Sequence, residues 1–221
     1  MDQYPSKGQI TFKEEGTAKF AIKAYNRLNS SKWYIIALFS SAIYPIAASP
    51  QSRLERELAF FDYKIEGVKK PRVVSYDLEE KILKREYLEG EIPYDKPDLV
   101  SKALCYIHRA GYVLGDTKIE NFLVDKEDSV SVIDAEQAVG SFDYRLRGWD
   151  LLLLFGSMAY KHLYDLDKYG EKVEKIIHAY NDWDNISGEI YNPLNSLLLA
   201  VIPLPHLLRL ASAISARGRE S

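Results

Sequence analysis

The stretch Gly115-Asp116-Thr117-Lys118-Ile119-Glu120-Asn121, followed by Asp134 in the run VIDAEQA, determines how this chain is interpreted. Between Asn121 and Asp134, the apolar runs FLV and VSVI flank the polar turn DKED. The pattern predicts a small hairpin, because a polar turn between two apolar runs favours a chain reversal. Such a hairpin would bring its two ends together and place Asp134 beside Asn121.

Three side chains of this region, Asp116, Asn121 and Asp134, are of the types that phosphoryl transfer requires. Transfer from a nucleoside triphosphate needs a carboxylate that orients the nucleophile and oxygen ligands that hold magnesium against the phosphates. The pattern Asp-x-x-x-x-Asn is common by itself. Its combination with an apolar hairpin and a terminal Ile-Asp is fairly specific, so the sequence indicates a candidate site for phosphate chemistry.

The composition is that of a globular protein. The chain has 221 residues, of which 47% are hydrophobic and 28% charged, so it can bury a core of ordinary size. Its 29 basic and 32 acidic residues give a formal charge of -3, which excludes a global basic field. We therefore expect neither nucleic acid nor an anionic membrane as the main partner.

The single Cys105 excludes a disulfide framework and a cysteine-cluster metal site. One unpaired cysteine suits a reducing compartment. The first residues, MDQYPSKGQ, have no apolar core of the kind found in signal peptides. We therefore expect a cytoplasmic protein.

Short strands are predicted in the first third of the chain. Residues 9–13 and 18–25 flank a turn at Glu15-Gly16-Thr17, which predicts a hairpin. Two more strands are predicted within residues 71–90, separated by a charged turn around Glu79-Glu80. The beginning of the chain is therefore expected to form a sheet.

Helical periodicity dominates the rest of the chain. Ser49 is suited to cap the first helix, with Pro50 at its first helical position. The predicted helices cover residues 51–63, 98–109, 197–213 and most of the chain beyond Asp150. The fold class is therefore predicted as α+β.

Residues 33–48 form a long apolar run, WYIIALFSSAIYPIAA. Ser40, Ser41 and Pro45 interrupt it, and its sixteen residues are fewer than the roughly 20 that a membrane-spanning helix needs. A buried or partner-covered segment is the favoured interpretation; an interfacial helix and a membrane span are the alternatives. We expect no membrane association.

The sequence resembles protein-kinase-fold phosphotransferases, whose catalytic-loop pattern D-x-K-x-x-N appears here as DTKIEN. Lys23 in FAIKAY matches the strand lysine of these kinases that contacts the α- and β-phosphates of ATP. Glu57 is our choice for the helix partner of that lysine, and Glu55 is the fallback. The run KREYLEGE resembles a kinase hinge, in which the backbone of Glu86, Tyr87 and Leu88 would meet the adenine.

The resemblance implies a role for each catalytic-loop residue. Asp116 would orient the acceptor hydroxyl and take up its proton, and Lys118 would neutralise charge on the transferring phosphoryl group. Asn121 and Asp134 would bind Mg²⁺, so ATP and magnesium are the implied cofactors. Asp150 in WDLLLLF matches the residue that supports the loop through backbone hydrogen bonds.

A bilobal protein-kinase-like architecture is also implied by the resemblance. Residues 1–89 would form an N-lobe with a sheet and one regulatory-type helix. Residues 90–221 would form a helical C-lobe with the catalytic loop. Only fifteen residues separate Asp134 from Asp150, which leaves no room for an activation segment of the usual length.

The departures from the common kinase pattern indicate a branch. Leu114 and Gly115 replace the usual His and Arg before Asp116, and the metal motif is Asp-Ala-Glu instead of Asp-Phe-Gly. The run IDAEQAV reproduces the I-D-x-x-Q-x-V pattern of RIO-type kinases through Gln137 and Val139. Lys118 is more similar to ordinary Ser/Thr kinases. The stand-alone kinase of the tRNA threonylcarbamoylation complex and the lipopolysaccharide kinases are also similar in compactness.

No G-x-G-x-x-G pattern lies among the 22 residues before Lys23, whose glycines are Gly8 and Gly16. Kinases use such a loop to cover the phosphates. Two alternatives follow. Either a shortened first strand around residues 4–8 covers the phosphates, or the lysine and the metal hold ATP.

Three functions remain in competition. The leading one is an atypical Ser/Thr kinase that acts on an unidentified protein substrate. The second is a pseudokinase or nucleotide-gated binding module of a larger complex, docked to its partner through residues 33–48. The third is a small-molecule kinase of the antibiotic or sugar type, because the short segment after Asp134 leaves little platform for a peptide.

Overall fold

A four-stranded antiparallel sheet forms the N-terminal region in the computed structural model, which describes residues 10–26, residue 34 and residues 44–219. The strand order is β1-β2-β4-β3. The first two strands form the predicted hairpin, and its turn requires Gly16, whose φ of +65° is left-handed. The strands are β1 (Ile10–Glu15), β2 (Ala18–Ala24), β3 (Val73–Asp77) and β4 (Ile82–Glu86).

Helix α1 (Pro50–Asp62) lies between β2 and β3 in the chain. The Ser49 side chain caps it by accepting a hydrogen bond from the amide of Ser52, at 3.0 Å between Oγ and N. Pro50 occupies the first turn, where its missing amide leaves no helical bond unmade. The predicted helix is therefore confirmed within one residue at each end.

The C-terminal region is helical, and the α+β class is confirmed. Its apolar side chains join those of α1 and β4 in one continuous core, which includes Leu54, Leu83 and Leu104. Short 3₁₀ turns connect several helices. The helices are α2 (Pro97–Arg109), α3 (Tyr144–Lys161), α4 (Leu166–Ala179), α5 (Trp183–Ile186), α6 (Ser196–Val201) and α7 (Leu204–Arg217).

Two predicted helix boundaries are wrong. Helix α3 begins at Tyr144, capped by Asp143, so that Asp150 lies within the helix instead of preceding it. The predicted terminal helix over residues 197–213 is two helices, separated at Ile202 and Pro203. Pro203 has no amide hydrogen and disfavours helical backbone at the residue before it, so the first of these helices ends there.

Two small antiparallel pairs lie beside the helices. The predicted hairpin consists of β6 (Phe122–Val124) and β7 (Val130–Val132), in which Phe122 pairs with Val132. The second pair, β5 (Tyr112–Val113) with β8 (Val139–Gly140), was not predicted. Such strands are too short to show a pattern in sequence.

The hairpin β6–β7 also contacts the segment before β3 and the segment after β4. The Lys69 amide donates to the Val130 carbonyl at 2.9 Å, and the Lys69 carbonyl accepts from the Val132 amide at 3.0 Å. Glu91 and Val124 exchange two backbone hydrogen bonds of 2.9 Å each. The hairpin is thus bonded both to the chain before β3 and to the chain after β4.

Most of the apolar run 33–48 lies outside the described residues. Of its described part, Tyr44 and Ala47 are buried, which agrees with the favoured interpretation for these residues. Among the residues that the structure describes, no helix is both long enough and apolar enough to cross a membrane.

Candidate functional site

The ammonium group of Lys23 lies at the centre of a buried carboxylate cluster. Its Nζ is 2.6 Å from Glu57 Oε2, 2.9 Å from Asp134 Oδ1 and 3.2 Å from Glu136 Oε2. The three carboxylates come from α1 and from the short segment after β7. The structure therefore brings together three of the predicted site residues, Lys23, Glu57 and Asp134, and adds Glu136.

The periodicity of β2 places Lys23 in this cluster. Ala21, Lys23 and Tyr25 are buried in alternation along the strand and its continuation, because side chains two residues apart share one face. The Tyr25 hydroxyl donates to Glu57 Oε2 at 2.6 Å. Glu57 Oε2 is thus bonded by two donors, whereas its buried Oε1 has no hydrogen-bond partner within the described chain.

The cluster perturbs the pKa values of its members. Burial alone would lower the pKa of Lys23, but the charges of Asp134 and Glu57 outweigh it and raise this pKa well above its usual value. Burial raises the pKa of Glu57, and the charge of Lys23 opposes that rise. Burial would also raise the pKa of Asp134, but the charge and hydrogen bond of Lys23 lower it. Lys23 is therefore a cation and Asp134 an anion near neutral pH.

A second group of predicted residues lies in the loop before β6. Lys118 Nζ contacts Asp116 Oδ1 at 2.9 Å, and Asn121 Nδ2 donates to the Asp116 carbonyl at 2.6 Å. Burial would lower the pKa of Lys118, but Asp116 and the more distant Asp134 raise it. The carboxylate of Asp116 is thus held by a neighbouring cation and its backbone by Asn121.

Asp150 supports this loop from helix α3. Its Oδ2 accepts from the Leu114 amide and its Oδ1 from the Gly115 amide, both at 2.7 Å. His108 Nε2 lies 3.0 Å from the same carboxylate, and all of these groups are buried. These bonds are the ones predicted for Asp150, and His108 packs beside them in the core.

The hairpin β6–β7 joins the two groups. The Ile133 amide donates to the Asn121 carbonyl at 2.9 Å, which places Asp134 directly beyond the last pair of the hairpin. Within the described residues, Asn121 Oδ1 and Asp134 Oδ2 take part in no hydrogen bond. One amide and one carboxylate oxygen at the two ends of the hairpin therefore make no hydrogen bond within the described chain, and hard oxygen ligands of this kind fit Mg²⁺.

The predicted hinge residues lie at the end of β4, where Glu86 pairs with Phe20 of β2. Two of their amides are already used within the sheet: Glu86 N donates to Arg72 O at 2.9 Å and Tyr87 N to Lys19 O at 3.1 Å. In the described part of the chain, the Leu88 amide has no backbone partner. Of the three predicted hinge amides, the amide of Leu88 is therefore the one left to donate a hydrogen bond to an adenine. Carbonyl groups of the segment could accept one.

Sequence reasoning missed Arg53 and Glu136, which form a buried ion pair of 3.3 Å between Nη2 and Oε2. Local signals for both residues existed. Arg53 precedes Glu57 by four residues and so shares its face of α1, and Glu136 lies two residues after Asp134, within the same motif. A long-range ion pair between these two elements could not be read from either pattern.

Sequence reasoning also missed the contact of residues 44–47 with the loop. The Tyr44 ring stacks on Trp149 at 5.6 Å between centroids, and its hydroxyl donates to the Gln137 carbonyl at 2.8 Å. A Cβ added to Gly115 would lie 2.3 Å from Tyr44 Cζ. The Tyr44 ring therefore occupies the space that a side chain at position 115 would need, which explains why a glycine stands there.

No protein-family model matches the chain, and no curated protein matches it in sequence. Among solved structures, the chain is similar to monomeric WbdD, with 14% identity and a TM-score of 0.45, over 88% of this chain and 44% of that chain. It is also similar to WbdD in complex with the kinase inhibitor LY294002, with 13% identity and a TM-score of 0.44, over 90% and 44% of the respective chains. The chain spans less than half the length of either WbdD chain.

Proposed function

We propose that this protein is an ATP-dependent phosphotransferase with an atypical protein-kinase-like fold. In this proposal residues 1–89 form the N-lobe and residues 90–221 the C-lobe. The pattern I-D-x-x-Q-x-V at residues 133–139 favours the RIO-type branch among the small atypical kinases.

One observation carries the proposal. A strand lysine, Lys23, is bonded at the same time to a helix glutamate, Glu57, at 2.6 Å and to the post-hairpin aspartate, Asp134, at 2.9 Å. These three residues are far apart in sequence and come from three different elements. Their meeting is the arrangement that kinases use to hold the phosphates of ATP beside the metal.

Each remaining residue has a role in this proposal. Asp116 accepts the proton of the acceptor hydroxyl, and Lys118 neutralises charge as the phosphoryl group moves. Asn121 and Asp134 hold magnesium, which would neutralise the phosphates when bound. The adenine lies against Glu86, Tyr87 and Leu88 and takes its hydrogen bond from the Leu88 amide.

Two acceptor classes fit the site. The catalytic lysine pattern supports a Ser/Thr hydroxyl of a protein. The alternative is a small-molecule alcohol, which is favoured by the docking of Tyr44 against Gly115, because this contact fills space beside the catalytic loop. The pseudokinase hypothesis differs from both, because it predicts nucleotide binding without transfer of the γ-phosphate.

The test measures transfer of the γ-phosphate from labelled ATP with magnesium. The acceptors are the protein itself, a generic protein, and a panel of sugar and aminoglycoside alcohols. We expect Asp116→Asn to lower the transfer rate about 100- to 10,000-fold, the range typical of a lost general base. Asp134→Asn should abolish the magnesium dependence of nucleotide binding.

The matched control is Asp167→Asn, because Asp167 is exposed on α4 and belongs to neither group of site residues. It should transfer phosphate like the wild type. Nucleotide binding by the wild type without transfer to any acceptor would favour the pseudokinase. Equal transfer by the wild type and both site variants would refute the proposed roles.

A further inference from the structure

We propose that Glu136 and Gln137 are positioning residues that hold helix α1 where Glu57 meets Lys23. The inference rests on the proposed function, since the arrangement of Lys23 and Glu57 matters for nucleotide binding. Neither residue was assigned a role by the sequence. They lie two and three residues after Asp134, and both are buried.

Glu136 joins the sheet to the helix through two cations. Its Oε2 lies 3.2 Å from Lys23 Nζ of β2 and 3.3 Å from Arg53 Nη2 of α1. Arg53 is fully buried and lies one helical turn before Glu57. A displacement of α1 would therefore separate the Arg53–Glu136 pair in a dry environment, where broken ion pairs are costly.

Gln137 holds the chain that leads into α1. Its Oε1 accepts from the Ala47 amide at 2.8 Å, and its Nε2 donates to the Ala47 carbonyl at 3.0 Å. Ala47 lies two residues before the capping residue Ser49. One side chain thus satisfies both backbone groups of Ala47 and fixes the start of the helix.

The backbone carbonyl of Gln137 adds two more bonds, one to α1 and one to the chain before it. Its carbonyl accepts from the Tyr44 hydroxyl at 2.8 Å and from Arg56 Nη1 of α1 at 3.3 Å. The segment beside the metal-binding Asp134 therefore contacts α1, its cap and the preceding chain. These contacts need no covalent modification, so the helix is held in place by the fold itself.

Release of helix α1 should weaken nucleotide affinity more than it slows phosphoryl transfer. If α1 is released, Glu57 moves away from Lys23, and the lysine is left to Asp134 and Glu136. Lys23 would then be drawn from the phosphates toward these two carboxylates. Loss of the positioning bonds should therefore raise KM for ATP while kcat changes less.

The test replaces Gln137 by methionine, which has a similar volume and makes neither of the two hydrogen bonds between the Gln137 side chain and the Ala47 backbone. The matched control is Gln51→Met on the exposed face of the same helix. The rate of amide hydrogen exchange in residues 50–62 is measured first, in the absence of nucleotide. We expect faster exchange of this helix in Gln137→Met and unchanged exchange in Gln51→Met.

Nucleotide affinity is then measured with a fluorescent ATP analogue, and KM and kcat with ATP and magnesium. We expect Gln137→Met and Glu136→Gln to weaken the affinity about 5- to 150-fold, the usual range of coupling between two sites. Glu136→Asp, which keeps the charge, should recover part of the loss. Val173→Ala, in the buried core of α4, serves as a variant that lowers global stability without touching α1.

Two failures are distinguishable. If Gln137→Met leaves both the exchange of α1 and the affinity within twofold of wild type, or if Val173→Ala reproduces its KM effect at equal global stability, the positioning role is refuted. If the wild type binds no nucleotide, the proposed function fails. The exchange measurement would still decide whether Gln137 holds the helix.

Discussion

Gly115 and Tyr44 are in direct contact across a sequence separation of 71 residues: a Cβ on Gly115 would lie 2.3 Å from Tyr44 Cζ. Gly115 also has a φ of +73°, in the left-handed region. Its amide is meanwhile bonded to Asp150 at 2.7 Å, so the backbone cannot move away from the ring without losing this bond. The loop that contains Gly115 therefore packs tightly between the Tyr44 ring and helix α3.

We predict that Gly115→Ala lowers the free energy of unfolding by about 3 kcal/mol, from the combined cost of left-handed backbone and overpacking. The measurement is urea denaturation. Gly16→Ala separates the two costs, because Gly16 has a φ of +65° but no atom within 4 Å of an added Cβ. That variant should lose only about 1 kcal/mol.

The steric part of the prediction can be checked by a double-mutant cycle. If the Tyr44 ring is the obstacle, Gly115→Ala should cost less in a Tyr44→Ala background than in the wild type. An additive cycle, with the same cost in both backgrounds, would contradict the clash.

The carboxylate cluster predicts an unusual pH dependence for Lys23→Met. This change leaves Glu57, Asp134 and Glu136 buried near one another with the lysine charge removed, which should cost about 3–5 kcal/mol near neutral pH. Without Lys23, burial and mutual repulsion raise the pKa of Glu57 and Asp134 above their unfolded values. Their protonation then favours the folded state, and this contribution is lost as pH rises.

Lys23→Met should therefore be closer to wild type in stability at pH 5 than at pH 8. The measurement is the difference in unfolding free energy between the two proteins across this interval. Lys64→Met, at an exposed position, is the control. A difference that stays constant with pH would show that the carboxylates are not the source of the cost.

Lys70 predicts a second pH effect, in the alkaline range. Burial lowers its pKa from 10.5 to about 8, although its Nζ donates to the Phe60 carbonyl at 2.8 Å. Between these pH values the unfolded chain binds more protons at this site than the folded chain. Stability therefore gains a contribution from Lys70 as pH rises from about 8 to 10.5.

Lys70→Met should remove this contribution. The unfolding free energy of the wild type should rise relative to that of the variant over the same interval, and the two curves should run parallel below pH 7. Parallel curves over the whole range would mean that the pKa of Lys70 is not lowered. The exposed Lys64→Met again provides the comparison.

Local chemistry explains which parts of the fold could be predicted. The start of α1 could be predicted because Ser49 caps helices with its side chain and Pro50 favours the first helical turn. The β6–β7 hairpin could be predicted from two apolar runs around a polar turn. The break before α7 had a signal as well, since Pro203 is present in the sequence. The many leucines around it favoured a continuous helix over the rule that proline ends one.

The candidate site could be predicted only in part, for a different reason. Lys23, Glu57 and Asp134 were chosen by their match to a known pattern, and the structure brings their charged groups within hydrogen-bond distance. The bond between Gln137 and Ala47 spans 90 residues and has no counterpart in local periodicity. Contacts of this kind depend on packing between elements, which a single sequence does not encode in any short motif.

The bonds that the β6–β7 hairpin makes to Lys69 and to Glu91 join it to both ends of the β3–β4 hairpin. Lys69 lies on the chain that enters β3, and Glu91 on the chain that leaves β4, so both connections are anchored on the same short strands. In the strand order β1-β2-β4-β3, the outer strand β1 lies beyond β2 and farthest from these anchors. Among the described residues, backbone hydrogen bonds outside the sheet thus tie the β3–β4 half of the sheet to the β6–β7 hairpin, and none ties β1 to it.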